Sequence, residues 1–257
     1  MICFSIITVT YNAQATLQRT LDSVAGQHYD GIEYIVVDGA SNDNTLAMVE
    51  NMRGRMESGT GRSMKVISEP DRGLYDAMNK GMKIATGDYV LFMNAGDTLA
   101  SSDTLALVSE LAYKARIGDM LPGVIYGDTD IVDAGNHFVG KRNHRPPEVL
   151  TWRSFQDGML VCHQAMYVRN DIAQRTPYDL RYRFSSDVDW CIRVMKETER
   201  LGLPLVNAHE VLCNFLAGGL TISNHKESLK ERFSIMAKHY GVVKTVCKHL
   251  KFLKRIV

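Results

Sequence analysis

The sequence predicts an α/β protein built on a Rossmann-like, mixed but mainly parallel sheet flanked by helices. Two observations predict it. Short β-branched runs alternate with helical periodicity through about the first hundred residues, and a polar side chain recurs where each apolar run ends. Such alternation implies right-handed crossovers with helices on both faces, and ligands in such sheets sit at the carboxyl ends of the strands. At 257 residues the chain can bury one large core, because single cores stop growing at roughly 250 to 300 residues.

The elements follow in order. "ICFSIITVT" is too short for a helix and rich in β-branched residues, which gives a strand over Cys3 to Thr10. In "NAQATLQRTLDSVAGQ", Ala15, Leu17, Leu21, Val24 and Ala25 share one helical face, with Asn12 as the N-cap. "IEYIVVDG" is a strand ending at Asp38, and "SNDNTLAMVENM" a helix opened by Ser41 or Asn42. Strand "MKVISE", helix "LYDAMNKGMKIA" and strand "DYVLFMN" complete the regular part. Four strand ends then carry polar groups: Tyr11 with Asn12, Asp38, Glu69 with Asp71, and Asn94 with Asp97.

Beyond residue 100 the pattern loosens. Helix "SDTLALVSELAYKA" precedes strand "GVIYGDTDIV", which pairs with "HFVGKR" across a turn at Asp133 to Asn136. Pro146 and Pro147 break regular structure, and a later helix runs about from Ser185 to Leu201. In the tail, Lys244, Lys248, Lys251, Lys254 and Arg255 accompany an apolar stripe of Val243, Val246, Leu250, Leu253 and Val257. That is a basic amphipathic helix, suited either to docking on the domain or to an anionic membrane surface.

Composition narrows the function. Apolar residues make up 45% and charged residues 23%, with a net charge of +1, which excludes a protein that coats nucleic acid. Cys3, Cys162, Cys191, Cys213 and Cys247 are scattered singly and read as reduced thiols of a cytoplasmic protein. The start "MICFSIITVTYN" fits neither a signal peptide nor a spanning helix. No Walker A sequence occurs, no G-x-G-x-x-G follows the first strand, and no H-E-x-x-H occurs. Carboxylates and amides gathered at one sheet edge suit a nucleotide, whose base and ribose need acceptors and whose diphosphate needs a cation such as Mg²⁺ or Mn²⁺. Taken singly, Asp38 and Asp71 also fit turns, and Asp97 a cap.

"SIITVTYNAQATLQRTLDSVAGQ", "EYIVVDGASNDNT", "SEPDRGLYDAMNKGMKIATGDYVLFMNAGD", "CHQAMYVR" and "SSDVDWCIRV" together resemble the family 2 glycosyltransferases of bacterial capsule, O-antigen and exopolysaccharide synthesis, over roughly residues 1 to 220. The resemblance implies a GT-A fold, a nucleotide-sugar donor with uridine diphosphate first, a divalent cation (Mn²⁺ or Mg²⁺), and inversion at the anomeric carbon. Carried over by position, Thr10 and Tyr11 flank the base, Asp38 accepts from a base N–H, and Asp71 and Arg72 line the donor pocket. Asn79 lies behind the diphosphate, and Asn94 and Ala95 belong to the donor site. Asp187 is the base for the acceptor hydroxyl, with Asp189 and Arg193 continuing its motif. His163 and Gln164 fall near the acceptor side.

The sequence departs from the family in "MNAGD", which replaces the usual "LDADD". Asn94 stands where an Asp meets the ribose, and Gly96 where the metal carboxylate stands, so the metal falls to Asp97, redirected by a positive φ at Gly96. Asp187 and Asp189 are two residues apart on a helix and point to different faces, so one of them reaches the site. "AGGLT" with Ser223 and His225 suggests a loop over the diphosphate. The expected organisation is a glycosyltransferase domain over 1–225, with the donor side about 1–100 and the acceptor side about 101–225, and a helical tail over 226–257. The expected partners are a nucleotide sugar, a lipid-linked saccharide acceptor and an anionic membrane surface, which places the protein in the cytoplasm or peripherally on the inner face of the plasma membrane. The alternative is a non-catalytic nucleotide-sugar-binding subunit of a membrane assembly.

Overall fold

The computed structural model describes residues 1–57, 61–218 and 225–253, with side chains over 226–248 in the last stretch. The first half alternates as the sequence predicts: β1 (Phe4–Thr10), α1 (Leu17–Ala25), β2 (Ile32–Asp38), α2 (Thr45–Glu57), β3 (Arg62–Ser68), α3 (Leu74–Ile84) and β4 (Tyr89–Phe92). There follow β5 (Thr98–Leu99), α4 (Thr104–Lys114), β6 (Val124–Val132), β7 (Phe138–Lys141), β8 (Met166–Arg169), α5 (Asn170–Arg175), α6 (Ser186–Arg200) and β9 (Leu205–Leu216). Two helices close the described chain, α7 (His225–Tyr240) and α8 (Val242–Leu253).

One sheet runs β3-β2-β1-β4-β8-β6-β9-β5, with β7 on the side of β6. β3, β2, β1, β4, β6 and β9 run one way, and β8, β7 and β5 the other. The expected hairpin therefore exists as β6 and β7, and the antiparallel pairings gather beyond β4. Both faces are covered. β1 and β2 are buried along their whole length, which is why they read as continuous apolar runs without alternation. α3 lies close on them because Gly81 offers no side chain: a Cβ there would stand 2.5 Å from Ile7 Cγ2.

A buried carboxylate pins the amino end of this half. Glu33 accepts from the Ser5 hydroxyl, from Lys65 Nζ (2.5 Å), and from the Thr86 hydroxyl and N–H (both 2.7 Å), tying β1, β2, β3 and the loop before β4 together. Burial pushes its carboxyl upward, but the bonds from Lys65, Ser5 and Thr86 outweigh that and hold it down at about 2.

Two expected caps are corrected. Asn12 does not cap α1: it takes a φ of 48°, and its Oδ1 accepts from the Asn42 N–H (2.9 Å), so it joins the loops after β1 and β2. Ser41 and Asn42 do not open α2, which begins at Thr45 with its N–H on Asp43 Oδ1 (2.9 Å). All five cysteines are free; Cys162, Cys191 and Cys213 are buried, whereas Cys247 is exposed.

The C-terminal segment is two helices broken at Gly241 (φ 89°), the first of which docks on the domain. Asp189 of α6, fully buried, accepts from Arg193 Nε (2.6 Å) and Lys238 Nζ (2.9 Å) and contacts His239 Nε2 (2.8 Å). On α7, Glu231 accepts from the backbone N–H groups of Arg183, Phe184 and Ser185 (2.8, 2.8 and 2.9 Å). α8 tucks Thr245 inward and turns Val242, Val243 and Val246 to solvent, with Val243 77% exposed. Its Leu250, Leu253, Lys251, Lys254, Arg255 and Val257 side chains lie outside the described residues, as do the loop with Ser223 and the side chain of His225. Among the described residues no helix is long and apolar enough to cross a membrane.

Candidate active site

Thr10, Asp38 and Ser68 are register partners, so β1, β2 and β3 end on one level. The loops leaving them stay close: the Gly39 N–H donates to Thr10 O (2.9 Å) and the Glu69 N–H to Asp38 O (3.0 Å). Asp38 forms the floor. It is fully buried; Oδ2 accepts from the Ser41 N–H (2.9 Å) and the Ser68 hydroxyl (2.8 Å), and Oδ1 from the Ser41 hydroxyl. Asp71 makes the turn expected of it, Oδ1 accepting from the Gly73 N–H (2.7 Å). Its Oδ2 leans over Gly39, 2.6 Å from where a Cβ would stand, with the Tyr11 ring 3.4 Å from that same point. Tyr11, 65% exposed, therefore presents a ring face beside the ends of three strands.

Among the described residues, two buried oxygens at this edge have no partner, Thr10 Oγ1 and Asn94 Oδ1. Unsatisfied buried oxygens are costly and call for a donor, such as a ligand hydroxyl. The turn holding Asn94 and Ala95 is fixed from α1: Thr20 Oγ1 donates to Asp97 O (2.7 Å) and accepts from the Gly96 N–H (2.8 Å).

Not every expected residue joins this group. Arg72 pairs with Asp76 in the first turn of α3 (2.9 Å) and is otherwise exposed. Asn79 spends both ends of its amide on the Tyr178 backbone, Oδ1 accepting from its N–H (2.8 Å) and Nδ2 donating to its carbonyl (3.0 Å). Its amide therefore locks the acceptor half onto α3, where the resemblance implied a place behind the diphosphate.

The positive φ at Gly96 is present, at 107°, but it does not free Asp97 for a metal. Asp97 is 4% exposed, Oδ2 accepting from Gln164 Nε2 (2.8 Å) and Oδ1 from the Leu216 N–H (2.9 Å). Burial pushes its carboxyl up to about 6, against those two bonds and the charges of His163 and Arg19. A carboxylate already enclosed by two donors has no open face for a cation, and among the described residues no three His, Cys, Asp or Glu side chains come together. A side chain at position 96 would not repair this, since its Cβ would fall 2.8 Å from Leu216 Cδ2. These residues do not fit the Mn²⁺ or Mg²⁺ site that the resemblance implies.

Across the edge, Asp187 opens α6. Tyr75 of α3 donates its hydroxyl to Oδ1 (3.1 Å), and His163 Nδ1 stands 3.7 Å from Oδ2. Asp187 keeps 18% of its side chain exposed, whereas Asp189 faces inward, so the expected separation of the two carboxylates holds. Burial raises the Asp187 carboxyl, but contact with His163 and the charges of His163 and Arg232 outweigh it and hold the carboxyl below its ordinary value. Beneath lies an aromatic layer, with Phe92 at 5.2 Å from Tyr178 and Tyr178 stacked on Trp190 at 5.0 Å. Tyr75 escaped the sequence reading, which gave only a helix over "LYDAMNKGMKIA".

Comparisons with known proteins give the family and the fold. The model of glycosyl transferase family 2 matches residues 5–175. The chain belongs to that family. It is a glycosyltransferase, and its sheet with strand-end acceptors is the GT-A fold. A PGL/p-HBAD biosynthesis glycosyltransferase of Mycobacterium tuberculosis is 35% identical over 192 residues, 74% of this chain and 68% of the relative. The amylovoran biosynthesis glycosyltransferase AmsB of Erwinia amylovora is 29% identical over 235 residues, 89% and 75% of the two chains. Among solved structures, S. aureus TarS 1-349 in complex with UDP-GlcNAc superposes with a TM-score of 0.68 at 16% identity, covering 98% of this chain and 73% of that one. The mannosyltransferase PcManGT of Pyrobaculum calidifontis, in complex with GDP-Man and Mn²⁺, gives a TM-score of 0.61 at 19% identity, covering 92% and 64%.

Proposed function

We propose that this glycosyltransferase moves a sugar from a uridine diphosphate sugar to a hydroxyl of a lipid-linked or oligosaccharide acceptor in surface polysaccharide synthesis, with inversion. The observation that carries this reading is Asp187, an ionised, partly exposed carboxylate fixed by Tyr75 from the donor half and flanked by His163. The acceptor hydroxyl gives its proton to Asp187 as its oxygen bonds the anomeric carbon, while the bond from that carbon to the diphosphate breaks and the nucleoside diphosphate leaves. Tyr11, Asp71 and Asp38 with its serines form the base end of the donor site. Thr10 and Asn94 offer their unpartnered oxygens to the ribose. The UDP-GlcNAc complex of TarS supports the choice of nucleotide, and the AmsB relative the choice of pathway class.

This reading divides the domain over 1–225 into a donor side of about 1–100 and an acceptor side of about 101–225. Of the helical tail over 226–257, α7 docks on the domain and α8 adsorbs peripherally on an anionic membrane surface, where a lipid-linked acceptor lies. The exposed Val242, Val243 and Val246 beside Lys244 support that placement.

The test is incubation of purified protein with a panel of nucleotide sugars and lipid-linked acceptors, reading nucleotide release. Release from a uridine diphosphate sugar that needs acceptor and falls about 10²- to 10⁴-fold in Asp187→Asn is expected. Equal release by the two proteins would sink the assignment of the base.

A further inference from the structure

Near Asp187, three basic side chains gather, and among the described residues none of them forms an ion pair with a carboxylate. Arg142 leaves the end of β7, and its Nη2 donates to the Met159 carbonyl (3.1 Å). His144 lies two residues on, with its ring over Gly158, Nε2 3.1 Å from where a Cβ would stand. Gly158 has a φ of 118°, so this close approach is one that only glycine accommodates. Arg232 comes from α7, next to the Glu231 that grips the backbone of residues 183–185 and so fixes this helix against the loop leading into Asp187. The Nε of Arg232 is buried and has no hydrogen-bond partner among the described residues.

The three feel one another. His144 is lowered from its ordinary value first by burial and then by the charges of Arg142 and Arg232, with Asp157 alone opposing. Asp157 itself is engaged by Lys248 of α8. The charge of Arg232 also reaches Asp187, and that of Arg142 reaches Cys162, next to His163. Half-buried like charges held together repel, and the repulsion is relieved when an anion arrives between them. Guanidinium groups suit phosphate oxygens in particular, because their paired N–H donors match the spacing of two oxygens.

We infer that Arg142, His144 and Arg232 form a phosphate-binding subsite beside Asp187. Which phosphate it takes rests on the function proposed above. One source is the departing diphosphate of the donor, whose charge Asp97 does not meet through a metal. The other is a phosphate that joins the acceptor saccharide to its lipid. The chemistry is shared: a di- or trianion, partly desolvated, held by two guanidinium groups and an imidazole that gains a proton as the anion binds.

The full chain, labelled with ¹⁵N-histidine, is titrated with inorganic pyrophosphate while the His144 ring is followed by NMR. The expected results are a rise of the His144 pKa with pyrophosphate and a dissociation constant weakened about tenfold by R142Q and by R232Q. The charge-keeping R142K recovers part of the loss, and unchanged melting temperatures show that the variants fold. The source is read by two further arms. If the donor diphosphate sits here, R142Q and R232Q weaken UDP about tenfold and leave uridine unchanged. If the acceptor phosphate sits here, UDP is unchanged and the KM for acceptor rises about tenfold instead. A His144 signal unmoved by pyrophosphate, with UDP affinity and acceptor KM within about twofold of wild type in folded variants, overturns the subsite. The pyrophosphate arm needs no sugar transfer, so a chain that binds pyrophosphate here yet transfers nothing refutes the proposed reaction and leaves the subsite standing.

Discussion

Gln164 donates its amide to Asp97 across the sheet, 2.8 Å from Nε2 to Oδ2, while the Leu216 N–H closes the other oxygen. The carboxylate thereby joins the turn after β4 to the segment before β8 and to the end of β9. Replacing it by an amide turns an NH₂ toward one of the two donors. Asp97→Asn is expected to cost about 1 to 3 kcal/mol in urea unfolding, the cost of a buried donor without an acceptor. Its response to Mn²⁺ in nucleotide calorimetry is expected to match wild type. A variant of wild-type stability that had lost a Mn²⁺ response would make Asp97 a ligand after all.

Tyr75→Phe removes one hydrogen bond to Asp187 and leaves the aromatic layer filled. A hydrogen bond to the ionised form lowers a carboxyl pKa, so losing it raises the Asp187 pKa. The acid limb of the pH–rate profile is expected to move to higher pH, with kcat about tenfold lower and KM for donor unchanged. An acid limb that stays in place would separate Tyr75 from the base.

Gly39→Ala tests the donor end. The new Cβ would meet Asp71 Oδ2 at 2.6 Å and crowd the Tyr11 ring, so the flexible carboxylate gives way while the backbone holds. Donor affinity is expected to fall about tenfold with less than about 1 kcal/mol lost in stability. Calorimetry with UDP against wild type decides.

Glu33 sets part of the acid stability. Its folded pKa, about 2, lies below the ordinary 4.5, so its contribution is fully present above pH 4.5 and is lost as pH falls through 2. The difference corresponds to of order 3 kcal/mol. Glu33→Gln is expected to lose most of that at pH 7, and the gap to wild type should narrow steadily in unfolding measured below pH 4.

Asp189→Asn breaks a fully buried carboxylate from Arg193, Lys238 and His239. Leaving Arg193 and Lys238 without their anion is expected to cost about 3 to 5 kcal/mol. Because Lys238 and His239 belong to α7, proteolysis should release the C-terminal helices first. A variant as resistant as wild type would show that the helices are held by other contacts.

Much of the donor side was legible because it is local. Thr10, Asp38 and Asn94 each directly follow their own apolar run, Asp71 follows its run by four residues, and parallel strands must end together. The acceptor side is written in distant pairs. Tyr75 and Asp187 lie 112 residues apart, and Asn79 meets Tyr178 across 99. No periodicity announces such pairs. The caps failed for a related reason: Asn12 suits a helix start by its side chain, but Asn42 on the neighbouring loop offers it a tertiary partner instead. Asp97 was found but misassigned, since spacing reveals that a carboxylate follows a strand and says nothing of the two donors that fold over it.

The bond from Tyr75 to Asp187 has a meaning for recombination between relatives. The residue proposed to take the proton is encoded late in the chain, and the hydroxyl bonded to it is encoded early. A chimaera cut after β4 would inherit the two from different parents. An acceptor half transplanted without its matching α3 would arrive with its base untethered, so crossover points should fall before α3, leaving that helix with the half it serves.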